Sequence, residues 1–186
     1  MNAALRLSWY KFKHHYMDFV KVLLGIVAFE GLILYIQDKG FLKDFETTRM
    51  TLFLLLFSTS LLIVVQNSIY ISKERSVLNR DFFSGLSRSA FALASMGIHA
   101  FFAVLETIVF ILSYSVFSKF FDKEFPDAGH IFGSYRWEVG ITVLLVFLAS
   151  HFIALFISAL VGKSEITSVI LAVVVGIMQF SLSGTI

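Results

Sequence analysis

The sequence predicts an all-α, polytopic membrane protein with about five transmembrane helices, because a hydrocarbon core asks for roughly 20 apolar residues per crossing and the chain supplies such stretches repeatedly. Hydrophobic residues make up 58% of the 186 and charged residues only 15%, against the roughly 25% charged that is usual in soluble domains. The mean hydropathy is +0.84. A chain this short cannot hide so much apolar surface in one water-facing core, since small domains leave a large part of their surface wet. The apolar stretches are also continuous rather than alternating, which argues against a barrel and for helices that satisfy their own backbone hydrogen bonds.

The whole chain reads as a single transmembrane domain, 1–186, with spans at 20–37, 50–71, 90–117, 140–161 and 167–182. Two further segments are amphipathic. In 1–19, Leu5, Trp9, Phe12, Tyr16 and Phe19 fall within about 80° of one another, while Arg6, Lys11, Lys13, His14 and Asp18 lie elsewhere. This predicts an interfacial helix, with aromatics at headgroup depth and Lys toward anionic lipid. In 72–89, Leu78, Phe82 and Leu86 form one stripe opposite Lys73, Arg80 and Asp81, which predicts a second horizontal helix. The stretch 118–138 holds Pro126, Gly129 and Gly133 beside Tyr135 and Trp137, and reads as a loop at the membrane interface.

Orientation follows from Lys and Arg in the short connections, because cytoplasmic loops hold the excess. One side receives Arg6, Lys11, Lys13, Lys21, Lys73, Arg75, Arg80, Arg88 and Lys163, and the other only Lys39, Lys43, Arg49, Lys119, Lys123 and Arg136. The expectation is a protein integral to the plasma (inner) membrane, with its N-terminus cytoplasmic and Ile186 outside. The start, MNAALRLSWYKFKHH, has charges and aromatics where a signal peptide needs a continuous apolar core, so the N-terminus is expected to be retained.

Composition excludes several function classes. There is no Cys, so disulfides, thiolate metal sites and cysteine nucleophiles are ruled out. A net charge of +2 does not point to nucleic acid. His14, His15, His99, His130 and His151 lack metal-site spacing. Gly162, Lys163 and Ser164 look like the end of a phosphate-binding loop, but Ile157 stands where the first Gly is needed and the flanks are membrane helices. His151 and Ser183 do not make an intramembrane serine protease, because Ser183 lacks a Gly two residues before it.

The segment from Ile69 to Ser95, IYISKERSVLNRDFFSGLSRSAFALAS, resembles the cytoplasmic signature of the permeases in the G subfamily of ATP-binding-cassette exporters. Those have a Glu-Arg pair, an Arg-Glu pair about five residues later, then Gly-Leu-Ser, a small residue and an aromatic entering the third span. The matching positions are Glu74 and Arg75, Arg80 and Asp81, Gly85, Leu86 and Ser87, then Ala90 and Phe91; Asp81 replaces Glu and Phe91 replaces Tyr. The order of parts also agrees along the chain. The resemblance implies a type-2 permease whose helix 72–89 is a coupling helix, with Glu74, Arg75, Arg80, Asp81 and Gly85 serving contact with a nucleotide-binding ATPase subunit. It implies no cofactor on this chain, ATP and Mg on that partner, and a second permease copy or a complementary short permease alongside. Transport of an amphiphilic or peptide-like substrate outward is inherited from the same resemblance. The family pattern continues beyond the fifth span with a re-entrant segment and a sixth span, whereas this sequence ends at FSLSGTI; a split or truncated permease is the resulting expectation.

Polar groups inside the spans are the other candidates, since charge in a bilayer is costly. Glu106 lies midway along the third span, with His99 one heptad before and Ser113 one heptad after, on a face expected to point into the bundle. Glu30 lies in the outer half of the first span. Thr59 and Gln66 share a face of the second span, which lines the substrate path in the resembled family, although polar side chains also join helices. Two rival readings are a non-transporting membrane scaffold or immunity-type protein and a small intramembrane enzyme; for the latter, Glu30, His99, Glu106 and His151 read as too scattered along the chain to form one catalytic cluster.

Overall fold

Between Asn2 and Leu24 there is neither Gly nor Pro, and the chain there starts a single uninterrupted helix, α1 (Asn2–Ile36). The computed structural model describes residues 2–37, 45–123, 131, 133–162 and 164–182. After α1 come α2 (Phe45–Asn67), α3 (Arg75–Phe83), α4 (Arg88–Phe120), α5 (Tyr135–Leu160) and α6 (Glu165–Leu182), with no strand among the described residues. The boundary expected between an interfacial helix and the first span, at 19 and 20, is therefore not a break in the helix. Nothing in the local sequence can stop it. Its 35 residues run about 50 Å, well beyond a hydrocarbon core of roughly 30 Å. Phe19, the last member of the expected aromatic stripe, packs on Phe102 of α4 with ring centroids 4.8 Å apart. The side chains of Leu5, Trp9 and Phe12 lie outside the described residues, as do Pro126, Gly129, His130 and Ser183.

Four helical segments are long and apolar enough to cross a membrane: Tyr16–Ile36, Thr47–Asn67, Arg88–Phe120 and Tyr135–Leu160. The fifth apolar segment, Glu165–Ser181, is shorter. At 18 residues α6 is about 27 Å long, at the lower limit for a crossing. Large apolar side chains are exposed on every one of these helices, among them Leu24, Leu32, Leu54, Leu93, Leu112, Leu145, Phe156, Ile170 and Ile177. A water-soluble bundle rarely shows apolar patches on that scale. The chain is an integral membrane protein.

α1 packs chiefly on α4, α4 on α5, and α2 lies against α5, α1 and α6. The main apolar core joins Val22, Ile26, Ile33 and Leu34 of α1, Leu55 and Ile63 of α2, Ala103 and Phe110 of α4, and Val143 and Phe147 of α5. A smaller cluster of Val64, Ile157, Val161 and Ala172 seats α6 on α2 and the end of α5. Close approach uses small residues, as in membrane bundles generally: a Cβ on Gly176 would stand 2.4 Å from a methyl of Leu61.

Polar side chains fasten the ends of these helices. α4 ends with Asp122 in the left-handed region, φ 55, and the Lys123 N–H reaching back to the Ser118 carbonyl at 2.8 Å, a Schellman-type stop. That turn aims Lys123 inward. Its ammonium donates to the carbonyls of Leu34 and Gln37 at the C-terminal end of α1, where the helix dipole favours a cation. Lys123 is only 4% exposed. Replacing it with Met leaves those carbonyls without this donor, and a loss of about 2 kcal/mol is expected, read as a lower thermal unfolding midpoint in detergent; an unchanged midpoint would show that the cap carries no stability.

Candidate functional site

The connection from α2 to α4 is built by stop and start signals packed closely together. After Asn67 the chain makes turns through Ser68–Glu74, with the Lys73 N–H on the Ile69 carbonyl at 2.9 Å. The Ser158 hydroxyl of α5 accepts the N–H groups of Ile71 and Ser72, at 2.8 and 3.1 Å, and Ser168 of α6 donates to the Ser72 hydroxyl at 3.2 Å. These contacts hold the turns on α5 and α6. α3 then runs for only nine residues, where the sequence predicted a helix over 72–89. The cause is Gly85, at φ +104. The Leu86 N–H bonds to the Asp81 carbonyl at 3.0 Å and the Gly85 N–H to the Phe82 carbonyl at 3.2 Å, a Schellman pair that demands a residue tolerant of positive φ. Two residues later Ser87 caps α4, accepting the Ala90 N–H. The Gly-Leu-Ser motif is thus a helix stop followed by a helix start.

Each residue singled out in this segment has a definite place. Arg75 opens α3 and donates from one guanidinium nitrogen to the carbonyls of Ala159 and Val161, at 2.9 Å each. It caps the C-terminal end of α5, where a cation offsets the helix dipole. Glu74 sits just before α3 at its N-cap position, and Lys73 reaches Asp18 of α1 at 4.0 Å. Arg80 and Asp81 stand 3.9 Å apart, with Arg80 well exposed. Leu78 is buried against the bundle, while Phe83, which the sequence analysis did not single out, is 94% exposed. α3 is therefore a short bracket, riveted to α5 on one face and presenting Phe83, Val77 and Arg80 on the other.

The intramembrane residues form a second feature. His99 Nδ1 and His151 Nδ1 are 2.9 Å apart, and His151 Nε2 is 2.8 Å from Glu106 Oε2. All three residues are completely buried. Of the four groups that read as scattered along the sequence, His99, Glu106 and His151 are joined in one line between α4 and α5 while Glu30 stays apart, a correction that needed the register of two helices: His99 and Glu106 share a face of α4, and His151 comes from α5. Their outer atoms, His99 Nε2 and Glu106 Oε1, have no hydrogen-bond partner within the bundle. Ser113, one turn-pair further along α4, instead donates to Glu30 of α1. The two path candidates separate. Thr59 is buried and donates to the Leu55 carbonyl of its own helix at 2.7 Å, whereas Gln66 lines a cavity of about 90 Å³ together with Asn67, Tyr70, Asp18, Lys73, Glu74 and His99.

A family model for the ABC-2 type transporter matches residues 6–186. The chain belongs to the ABC-2 type transporter family. It is accordingly the membrane permease component of an ATP-binding-cassette transporter. No curated protein and no solved structure matches the chain. For an ABC-2 permease the bracket is the natural point of attention, because it is the part of the chain between spans that is fixed to the bundle by side chains from α5 and α6. Replacing Arg75 with Ala frees two carbonyls at the end of α5, with an expected cost of about 1 to 2 kcal/mol; faster hydrogen exchange confined to α3 and the C-terminal turn of α5 is the expected reading, and uniform exchange across the bundle the contrary one.

Proposed function

We propose that this permease works as an exporter subunit for an amphiphilic or peptide-like substrate, driven by ATP hydrolysis on a separate nucleotide-binding subunit, with ATP and Mg held there. A second permease copy or a complementary short permease completes the translocation unit. The observation that carries this reading is the riveted bracket: α3 is short and bound to α5 through Arg75, and the turns leading into it are held to α5 through Ser158 and to α1 through Lys73 and Asp18. An element held that way moves with several spans at once, as transmission of a rigid-body displacement requires. The ATPase subunit docks on the outward face of α3, with Phe83 as its apolar anchor and Arg80 and Asp81 beside it; Glu74, Arg75 and Gly85 keep the bracket in shape. Phe83 has the character of an interface hot spot, a large aromatic left exposed by the described residues.

In this arrangement α3 and the N-terminus of α1 face the cytoplasm, supported by the concentration of Lys and Arg on that side, and the C-terminal end of α6 faces outward. The substrate moves beside α2 and α5, by alternating access.

Two measurements test the proposal. Purification in mild detergent, followed by mass spectrometry of what accompanies the chain, should find a nucleotide-binding subunit and a further permease; a chain that emerges alone or with non-ATPase proteins returns the reading to a scaffold. In the purified complex, Phe83→Ala and Arg80→Glu should each lower permease-stimulated ATP hydrolysis about tenfold, as loss of an interface anchor does, with an unchanged elution profile. Full stimulation in both variants would exclude α3 as the docking element.

A further inference from the structure

The line of His99, His151 and Glu106 has two open ends, and one of them belongs to a residue of the cavity wall. Glu106 Oε1 ends it within the bundle; at the other end His99, whose buried Nε2 has no hydrogen-bond partner among the described residues, is one of the residues lining a cavity, with Asp18, Gln66, Asn67, Lys73 and Glu74 on its polar side and Val22, Ile98 and Phe102 on its apolar side. A cavity of about 90 Å³ with these polar groups in its wall has room for several waters, each of which needs roughly 10 to 15 Å³ on the same measure. The geometry points to a proton-binding site in the bundle: water in the cavity beneath the α2–α3 connection delivers a proton to His99 Nε2, and the His99–His151 pair passes it to Glu106.

The proton count closes without another reactant. With Glu106 ionised, His151 donates Nε2–H to it, His151 Nδ1 accepts, and His99 donates Nδ1–H, leaving a lone pair on His99 Nε2, the atom without a partner. A proton arriving there forms a new N–H bond. The Nδ1 hydrogen of His99 then passes to His151 Nδ1, and the Nε2 hydrogen of His151 passes to Glu106 Oε2. Each ring ends neutral in the opposite tautomer, Glu106 ends as the acid, and the line has gone from one negative charge to none. Burial of an unpaired charge is what this removes. His99 Nε2 changes in the same event from acceptor to donor, so a single proton alters both the charge at Glu106 and the hydrogen-bond polarity at His99.

The surroundings leave few competing groups. From α1 come Asp18 in the cavity lining, with Lys21 bonded to it, and Glu30, which is engaged by Ser113; from the α2–α3 connection come Lys73, Glu74 and Tyr70, whose ring stands edge-on to His99 at 4.7 Å. α2 contributes only neutral Gln66 and Asn67 at the cavity, and Ser60 paired with Ser150 at 2.7 Å beside His151 on α5. Glu106 is joined to the lining residue His99 through His151.

The test uses the full chain in lipid nanodiscs, with infrared difference spectroscopy during a pH titration. The unmodified protein should show a protonated-carboxyl band that fades as pH rises, and Glu106→Gln should abolish that change. His99→Phe should keep the carboxyl but slow its exchange with heavy water about a hundredfold, the scale on which a positioned proton carrier acts. A band that ignores pH, a band that persists in Glu106→Gln and so belongs to Glu30, or exchange at the unmodified rate in His99→Phe would each overturn the assignment. If the His99 variant does not fold, nitrogen NMR of the unmodified chain with labelled imidazoles decides: two rings exchanging tautomer together in one titration support the relay, and rings fixed in one tautomer throughout refute it.

Discussion

Inside hydrocarbon there is no water to satisfy a donor or acceptor that a helix leaves open, and the places where α1, α5 and the α2–α3 connection end are closed by side chains from other helices. Lys123 closes the end of α1, Arg75 closes the end of α5, and Ser158 holds the two amides at which the chain leaves α2. These crossings do what hydrophobic burial cannot, because lipid tails are as apolar as Leu and do not by themselves press helices together. Apolar packing fills the interior, but the polar crossings set which helix end meets which.

That division explains how a nine-residue helix becomes a mechanical part. An isolated helix of this length is marginal in water. α3 persists because its start is tied to α5 through Arg75, Leu78 is buried on the bundle, and its stop is set by Gly85. The exposed face is left without structural duties, so Phe83 and Arg80 are available to a partner. The chain belongs to the ABC-2 type transporter family, and in the proposed reading this element is rigid toward its own spans and open toward the partner.

The His99, His151 and Glu106 line follows the same rule with a different outcome. Three ionisable groups are fully buried and share hydrogen bonds, yet an atom is left open at each end. The ends of α1 and α5 are closed off by Lys123 and Arg75; this line is not. A chain of hydrogen bonds with a cavity at one end conducts a proton more readily than it holds helices together, and that asymmetry is the basis for assigning it a proton.

The all-helical membrane class was legible from composition and from the length of the apolar runs, because hydrocarbon imposes both on any sequence that crosses it. The horizontal helix expected over 72–89 was legible only as a short amphipathic element between two spans; its stop at Gly85 and the new start at Ser87, signals that act over a few residues, came from the structure. Three things were decided only by the tertiary structure. The first span and the expected interfacial helix are one helix, for amphipathicity alone does not break a chain that lacks Gly and Pro. Arg75 reads as part of the horizontal helix and Lys123 as a loop cation, and the structure makes each a cap on a distant helix end. His151 joined His99 and Glu106 only once the register of α5 against α4 was fixed, and register between helices is set by packing over the whole bundle, to which no single stretch of sequence has access.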